Sequence, residues 1–165
     1  TVTVQQEIDN ALKYLEIQQV RYKDHLRIIS DISDECTSFE TVKLILQPFI
    51  ENSIIHGLKG KTEEWLIVFR CYLRNDSVVY EISDNGCGIP PAQLDRLNTS
   101  IESLCSDTPE SIGILNIAQR LRLIFGSQCS LRLESASRAG TTVILEHKAL
   151  NDLSFYLEGT ASEKK

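Results

Sequence analysis

Residues 65–74 (WLIVFRCYLR) and 77–84 (SVVYEISD) are two runs rich in β-branched and aromatic side chains, separated only by Asn75-Asp76. Asn and Asp tolerate the left-handed backbone that tight hairpin turns demand, so the segment reads as two antiparallel strands joined by a short turn. The second run ends at Asp84 and passes straight into Asn-Gly-Cys-Gly-Ile, and Gly86 to Pro91 breaks regular structure there. The chain therefore contains a hairpin whose far end is polar and glycine-rich, and the other segments must cover it.

Helices flank this hairpin in the sequence. Ile8, Leu12, Leu15 and Tyr22 follow helical spacing over 3–22; Thr3 is suited to cap that helix and Gln6 completes a capping box. Leu26 to Ile32 is a short strand, and Asp31 to Ser38 a polar loop. Val42, Ile45, Leu46, Phe49, Ile50 and Ile54 predict a helix from Thr41 to Gly57, with Pro48 kinking it by freeing the Leu44 carbonyl. A short helix is expected around Gln93 to Leu97, inside a polar stretch from Pro91 to Ser111 that reads as a mobile lid. Ile114, Ile117, Ala118, Leu121 and Ile124 predict a further helix opening at Gly113 and stopping at Gly126. Ser130 to Ser135 and Thr141 to Glu146 are two final strands. This order predicts an α/β fold, a two-layer α/β sandwich whose mixed sheet is covered on one face by helices.

The length of 165 residues suits one domain. A net charge of −6 argues against nucleic acid as a partner. A nucleotide bound here needs a local positive pocket made of backbone N–H groups and a cation. No apolar run approaches the roughly 20 residues that span a bilayer. The five cysteines are scattered with no CxxC pair, so reduced thiols are expected rather than a zinc or dithiol site.

Four segments carry chemistry: Gln47 to Gly57 (QPFIENSIIHG), Ser83 to Ile89 (SDNGCGI), Ser111 to Leu121 (SIGILNIAQRL) and Ala139 to Leu145 (AGTTVIL). Adenine offers an N–H2 donor at N6 where guanine has a carbonyl, and a carboxylate at a strand end accepts it; Asp84 fits. Gly86 and Gly88 let the backbone approach a base closely. Gly113 stands at a helix start, where unpaired N–H groups suit a triphosphate. Asn52 offers a neutral oxygen suited to Mg²⁺. Thr141 is placed to reach the adenine edge. His56 lies one helical turn after Asn52 and fits a supporting place at the phosphate end.

Taken together and in order, the four segments resemble the N box, the two glycine boxes and the closing GT motif of the Bergerat-fold ATPases, the ATP-binding fold shared by gyrase, Hsp90, histidine kinases and MutL. The likeness covers 41–149. LQPFIENSIIHG, the earlier YLEIQQVRY at 14–22 and IGILNIAQRL are similar to the corresponding segments of LytS/YehU- and YesM-type sensor histidine kinases. That resemblance implies an enzyme domain that uses ATP and Mg²⁺ to phosphorylate a histidine. Residues 1–25 would end the dimerisation and phosphoacceptor region, 26–150 would form the catalytic domain, and 151–165 a flexible tail. Glu51 and Asn52 would be catalytic, and Asn52, His56, Asp84, Gly86, Gly88, Ile89, Gly113, Asn116 and Thr141 would hold the nucleotide. The partners implied are the protein's own dimerisation domain in a homodimer and a response regulator. The location implied is the cytoplasmic side of a membrane-anchored sensor.

The chain departs from the pattern in places. Ile55 stands where many histidine kinases carry Lys or Arg, and Ser111 replaces the first glycine of its box. The phosphoacceptor motif is absent, and none of His25, His56 and His147 has its context. Pro48 occupies the position four before Asn52 where the hydrolytic members carry an acid. Glu51 points about 100° away from Asn52 on an ideal helix. That favours phosphoryl transfer over hydrolysis. Two alternatives remain at this point: an anti-sigma-factor-type serine kinase, and a regulatory module that binds ATP without turnover.

Overall fold

The computed structural model describes residues 1–58, 64–105 and 112–153. Its centre is a five-stranded sheet made of β2 (Leu26–Ile32), β4 (Trp65–Arg74), β5 (Ser77–Asp84), β6 (Cys129–Ser135) and β7 (Thr141–Lys148), in the order β2-β4-β5-β7-β6. β2 runs parallel to β4 and every other pairing is antiparallel, so the sheet is mixed as expected. Asn75 and Asp76 take φ of 49° and 61° at the hairpin turn, the left-handed pair that matches the twist of the flanking strands. Two further short strands, β1 (Val2–Thr3) and β3 (Glu40–Thr41), pair with each other.

The pleat decides which side chains meet the helices. Ile67, Phe69 and Cys71 of β4 are buried, as are Val78, Tyr80 and Ile82 of β5 and Val143, Leu145 and His147 of β7. Their registers align, with Phe69 opposite Ile82 and Ile82 opposite Val143. The other face carries cross-strand polar pairs: Tyr72 donates to Glu81 at 2.7 Å and Arg74 to Glu146 at 2.7 Å. One face is thus apolar and covered by helices, while the other carries these polar pairs around the buried Val79 and Ile144, which is the two-layer arrangement.

The cover comprises α1 (Val4–Tyr22), α2 (Gln47–Asn52) and α4 (Ile112–Phe125), and α3 (Pro91–Ser103) lies along β6. The Thr3–Gln6 capping box forms at the start of α1. Val4, Ile8, Ala11 and Leu15 are buried in the same core as the sheet, so residues 1–25 contribute directly to it. Gly126, with φ of 58°, ends α4 where expected.

The helix predicted over 41–57 differs. Residues 42–46 form a loop, α2 starts only at Gln47, and the chain then widens into a π-turn over Ser53–Gly57. Pro48 sits in the first turn of α2, where its missing N–H has no helical partner to lose, so there is no kink. The apolar periodicity misled because the loop residues Val42, Ile45 and Leu46 are buried while not helical. α3 is also longer than expected and packs against β6. Asn98 exchanges two hydrogen bonds with the Leu133 backbone, at 2.9 Å each, and Ile101 is buried. The rest of the expected lid, 106–111, lies outside the described residues, as does most of the expected tail.

Scattered cysteines need not stay apart. All five are free thiols, yet Cys36 and Cys71 bring their Sγ atoms to 3.3 Å inside the core. No group of His, Cys, Asp and Glu suited to a metal occurs among the described residues.

His147 is fully buried and stacks on Phe125 with ring centroids 4.3 Å apart. Nδ1 faces the Lys148 carbonyl at 2.9 Å, which only accepts, so Nδ1 carries the proton. Nε2 then accepts from the Thr41 hydroxyl at 2.9 Å. Burial pushes the imidazole pKa down to about 4 from 6.5. The unfolded chain therefore takes up this proton before the native one does. The stabilisation is complete above pH 6.5 and is lost as pH falls toward 4, costing about 2 kcal/mol by pH 5. Denaturant unfolding of the wild type and His147→Gln at pH 7 and pH 5 checks this. The variant should lose that part of the pH dependence, and equal pH dependence in both proteins contradicts it.

Candidate functional site

A cavity of about 390 Å³ opens between the end of the helix layer and the β5–β7 end of the sheet. Asp84 is the last inward-facing position of β5, so the alternation that buries Val78, Tyr80 and Ile82 also turns its carboxylate into this cavity. The side chain is 8% exposed. Its Oδ1 accepts from Gly86 N at 2.9 Å and from Thr141 N at 3.3 Å. A carboxylate held by backbone donors keeps one orientation.

The glycines allow this packing. A Cβ on Gly86 would lie 2.1 Å from the Gly57 carbonyl oxygen, and one on Gly140 would lie 1.9 Å from the Asp84 carbonyl oxygen. Gly140 also takes φ of 85°, which side chains resist. The end of the π-turn and the loop after β5 are therefore in direct contact, and Cys87 N donates to Gly57 O at 2.8 Å. Asn85 ties the same loop to β4, accepting from Leu66 N at 2.9 Å. Ser135 adds a clasp, accepting from Ile89 N at 2.8 Å and donating to Gly140 O at 2.6 Å.

Of the residues singled out in the sequence, Asn52, His56, Asp84, Gly88, Ile89 and Thr141 line the cavity. The π-turn carries His56 and Gly57 to the wall while Asn52 closes α2 beside them. Gly86 packs behind the wall. Glu51 is not part of the wall; its Oε1 accepts from Gln47 Nε2 at 2.8 Å. Gly113 is in the first turn of α4, whose Ile114 lines the cavity, but Gly113 and Asn116 do not. Asn116 is exposed. Sequence reasoning missed the apolar walls, Phe49, Leu133 and Val143, which suit a flat ring. Inward positions on the last two strands were the available signal for two of them. Nothing in the sequence announced the Ser135 clasp.

Fold and site together define a two-layer α/β sandwich with a partly apolar cavity, a carboxylate in its wall and a helix start beside it. Residues 37–151 match the family described as histidine kinase-, DNA gyrase B-, and HSP90-like ATPase, and the chain belongs to that family. Sensor protein LytS of Staphylococcus epidermidis is 32% identical over 143 residues, covering 87% of this chain and 24% of that protein. Sensor histidine kinase YesM of Bacillus subtilis is 30% identical over 152 residues, covering 92% of this chain and 25% of that one. The chain thus spans about a quarter of the length of these relatives. In fold it is similar to the catalytic domain of histidine kinase ThkA, with a TM-score of 0.62 at 14% identity over 92% of this chain and 96% of that one. The family match makes this an ATPase domain of the histidine kinase-, DNA gyrase B-, and HSP90-like kind. No helix among the described residues is long and apolar enough to cross a membrane.

Proposed function

We propose that the cavity binds Mg·ATP with its adenine on Asp84, and that the domain passes the γ-phosphate to a histidine on a dimerisation domain of a longer, membrane-anchored sensor. The observation that carries the reading is the Asp84 carboxylate, buried and oriented at the inner end of β5 inside an apolar cavity. It accepts from the adenine amine, and the carbonyl of guanine has no proton to give it. Thr141 reaches the same edge of the base, and Gly86, Gly88 and Ile89 shape the wall around it.

The triphosphate then extends toward α2 and the start of α4. Asn52 would supply an amide oxygen to a bound Mg²⁺, an ion that prefers oxygen ligands. Held there, such an ion would offset negative charge on the phosphates. His56 supports the phosphate end. Gly113 and Asn116 belong to the helix start that receives the triphosphate. Residues 1–25 lead in from the dimerisation region while adding to this core, the full-length protein is a homodimer, and a response regulator takes the phosphate onward.

Positioning and charge stabilisation suffice for phosphoryl transfer, because a neutral imidazole is already a nucleophile. Glu51, bonded to Gln47 and away from the cavity wall, is not where a water-activating base belongs. That supports transfer over hydrolysis, and the likeness to the sensor histidine kinase YesM supports transfer to histidine over the serine-kinase reading. Joined to its native upstream segment, the chain should move γ-phosphate from ATP onto an acid-labile histidine there. His25, His56 and His147 should stay unlabelled. Acid-labile label mapping to one of these three would contradict the proposal.

A further inference from the structure

Leu44, Ile45 and Leu46 turn three successive backbone N–H groups toward one buried carboxylate. Glu7, on the inward face of α1 and 1% exposed, accepts from Leu44 N at 2.7 Å through Oε2. Its Oε1 accepts from Ile45 N at 2.8 Å and from Leu46 N at 3.0 Å. Leu44 takes φ of 57°, and such a left-handed residue is what curls consecutive N–H groups into an anion-binding concavity. Leu46 is the N-cap of α2 and has no side-chain cap of its own. Glu7 therefore supplies, from 39 residues away, the negative charge that a helix start favours. On the outer side of the same loop, Arg120 of α4 donates to the Lys43 and Leu44 carbonyls.

α2 is six residues long and cannot hold itself in place. Its position follows from the burial of Phe49 and Ile50 together with what grips its start, and its last residue is Asn52. We propose that Glu7 is a positioning residue for the nucleotide site: by fixing the loop before α2 it sets where Asn52 stands, so the placement of α1 is felt at the phosphate end of the cavity. The proposal rests on the reading of the cavity as a Mg·ATP site.

The effect should be selective. The base end depends on Asp84 and the β5–β7 register, which Glu7 does not touch, while the phosphate end depends on α2. Glu7→Gln keeps the shape and one acceptor oxygen but turns an N–H2 against one of the three backbone donors. Titration of the wild type and the variant with adenosine, and with ATP with and without Mg²⁺, separates the two ends. Mg·ATP affinity should fall about tenfold, with adenosine affinity within about twofold of wild type. Equal losses for both ligands would mean that Glu7 only stabilises the fold, and no loss for either would mean that the loop does not place Asn52. Each of these overturns the proposal. A wild-type chain that binds neither ligand removes the nucleotide reading itself, before any variant is made. If Glu7→Gln does not fold, Arg120→Gln releases the other side of the loop and should show the same split; equal or absent losses there overturn the proposal in the same way.

Discussion

Asp84→Asn should weaken ATP binding by about 30- to 100-fold with the fold intact. The native carboxylate uses Oδ1 for the N–H groups of Gly86 and Thr141. An amide that keeps its oxygen there must place its N–H2 at the second oxygen's position, against the adenine amine. The flipped amide sets the N–H2 against the two backbone donors instead. Both orientations leave donors facing donors in a buried place, and a lost hydrogen bond to a charged group is worth roughly 1.5–3 kcal/mol. Calorimetric titration reads the affinity and circular dichroism the fold. An affinity within a factor of two of wild type, in a folded variant, means that Asp84 does not hold the base.

The second large effect belongs to the phosphate end. Asn52→Ala should lower Mg²⁺-dependent phosphotransfer to the upstream histidine by at least about 100-fold, the scale of one lost electrostatic contact to the reacting group. Part of the nucleotide affinity should survive, because the contacts proposed for Asp84 and Thr141 do not involve Asn52. Glu51→Gln is the matched control for hydrolysis. A general base contributes about 100-fold or more, and removing one shows that loss in ATPase rate. Glu51 bonds Gln47 rather than facing the cavity, so its variant should change the ATPase rate by less than about threefold. Robust ATPase activity that collapses in Glu51→Gln would place the protein with the hydrolytic members of the family.

Much of this site was legible because its residues sit at element ends. Asp84 closes a strand whose β-branched composition is unambiguous, and the glycines after it announce a turn. Thr141 opens a strand for the same reason, and the pairing of Asp84 with Thr141 follows once both ends are fixed. The region before Asn52 was not legible. Val42, Ile45 and Leu46 are as apolar as helix residues, and nothing local says that a carboxylate from α1 and a guanidinium from α4 hold them as a loop. Pro48 was read as a kink for that reason, although it stands in the first turn of α2. The π-turn over Ser53–Gly57 depends on backbone contact with the loop after β5, a long-range fact. The Cys36–Cys71 contact is likewise invisible to spacing rules, because 35 positions separate the two residues. Local chemistry located the ends of elements, and contacts across the core decided how the stretches between them run.

Titration of the wild-type chain with ATP and GTP in the presence of Mg²⁺ tests the central claim most directly. A buried, oriented carboxylate at the floor of the cavity accepts from the N6 amine of adenine and meets only the carbonyl oxygen of guanine, so ATP should bind at least about tenfold more tightly than GTP. Equal affinity for the two nucleotides would contradict the placement of the base on Asp84.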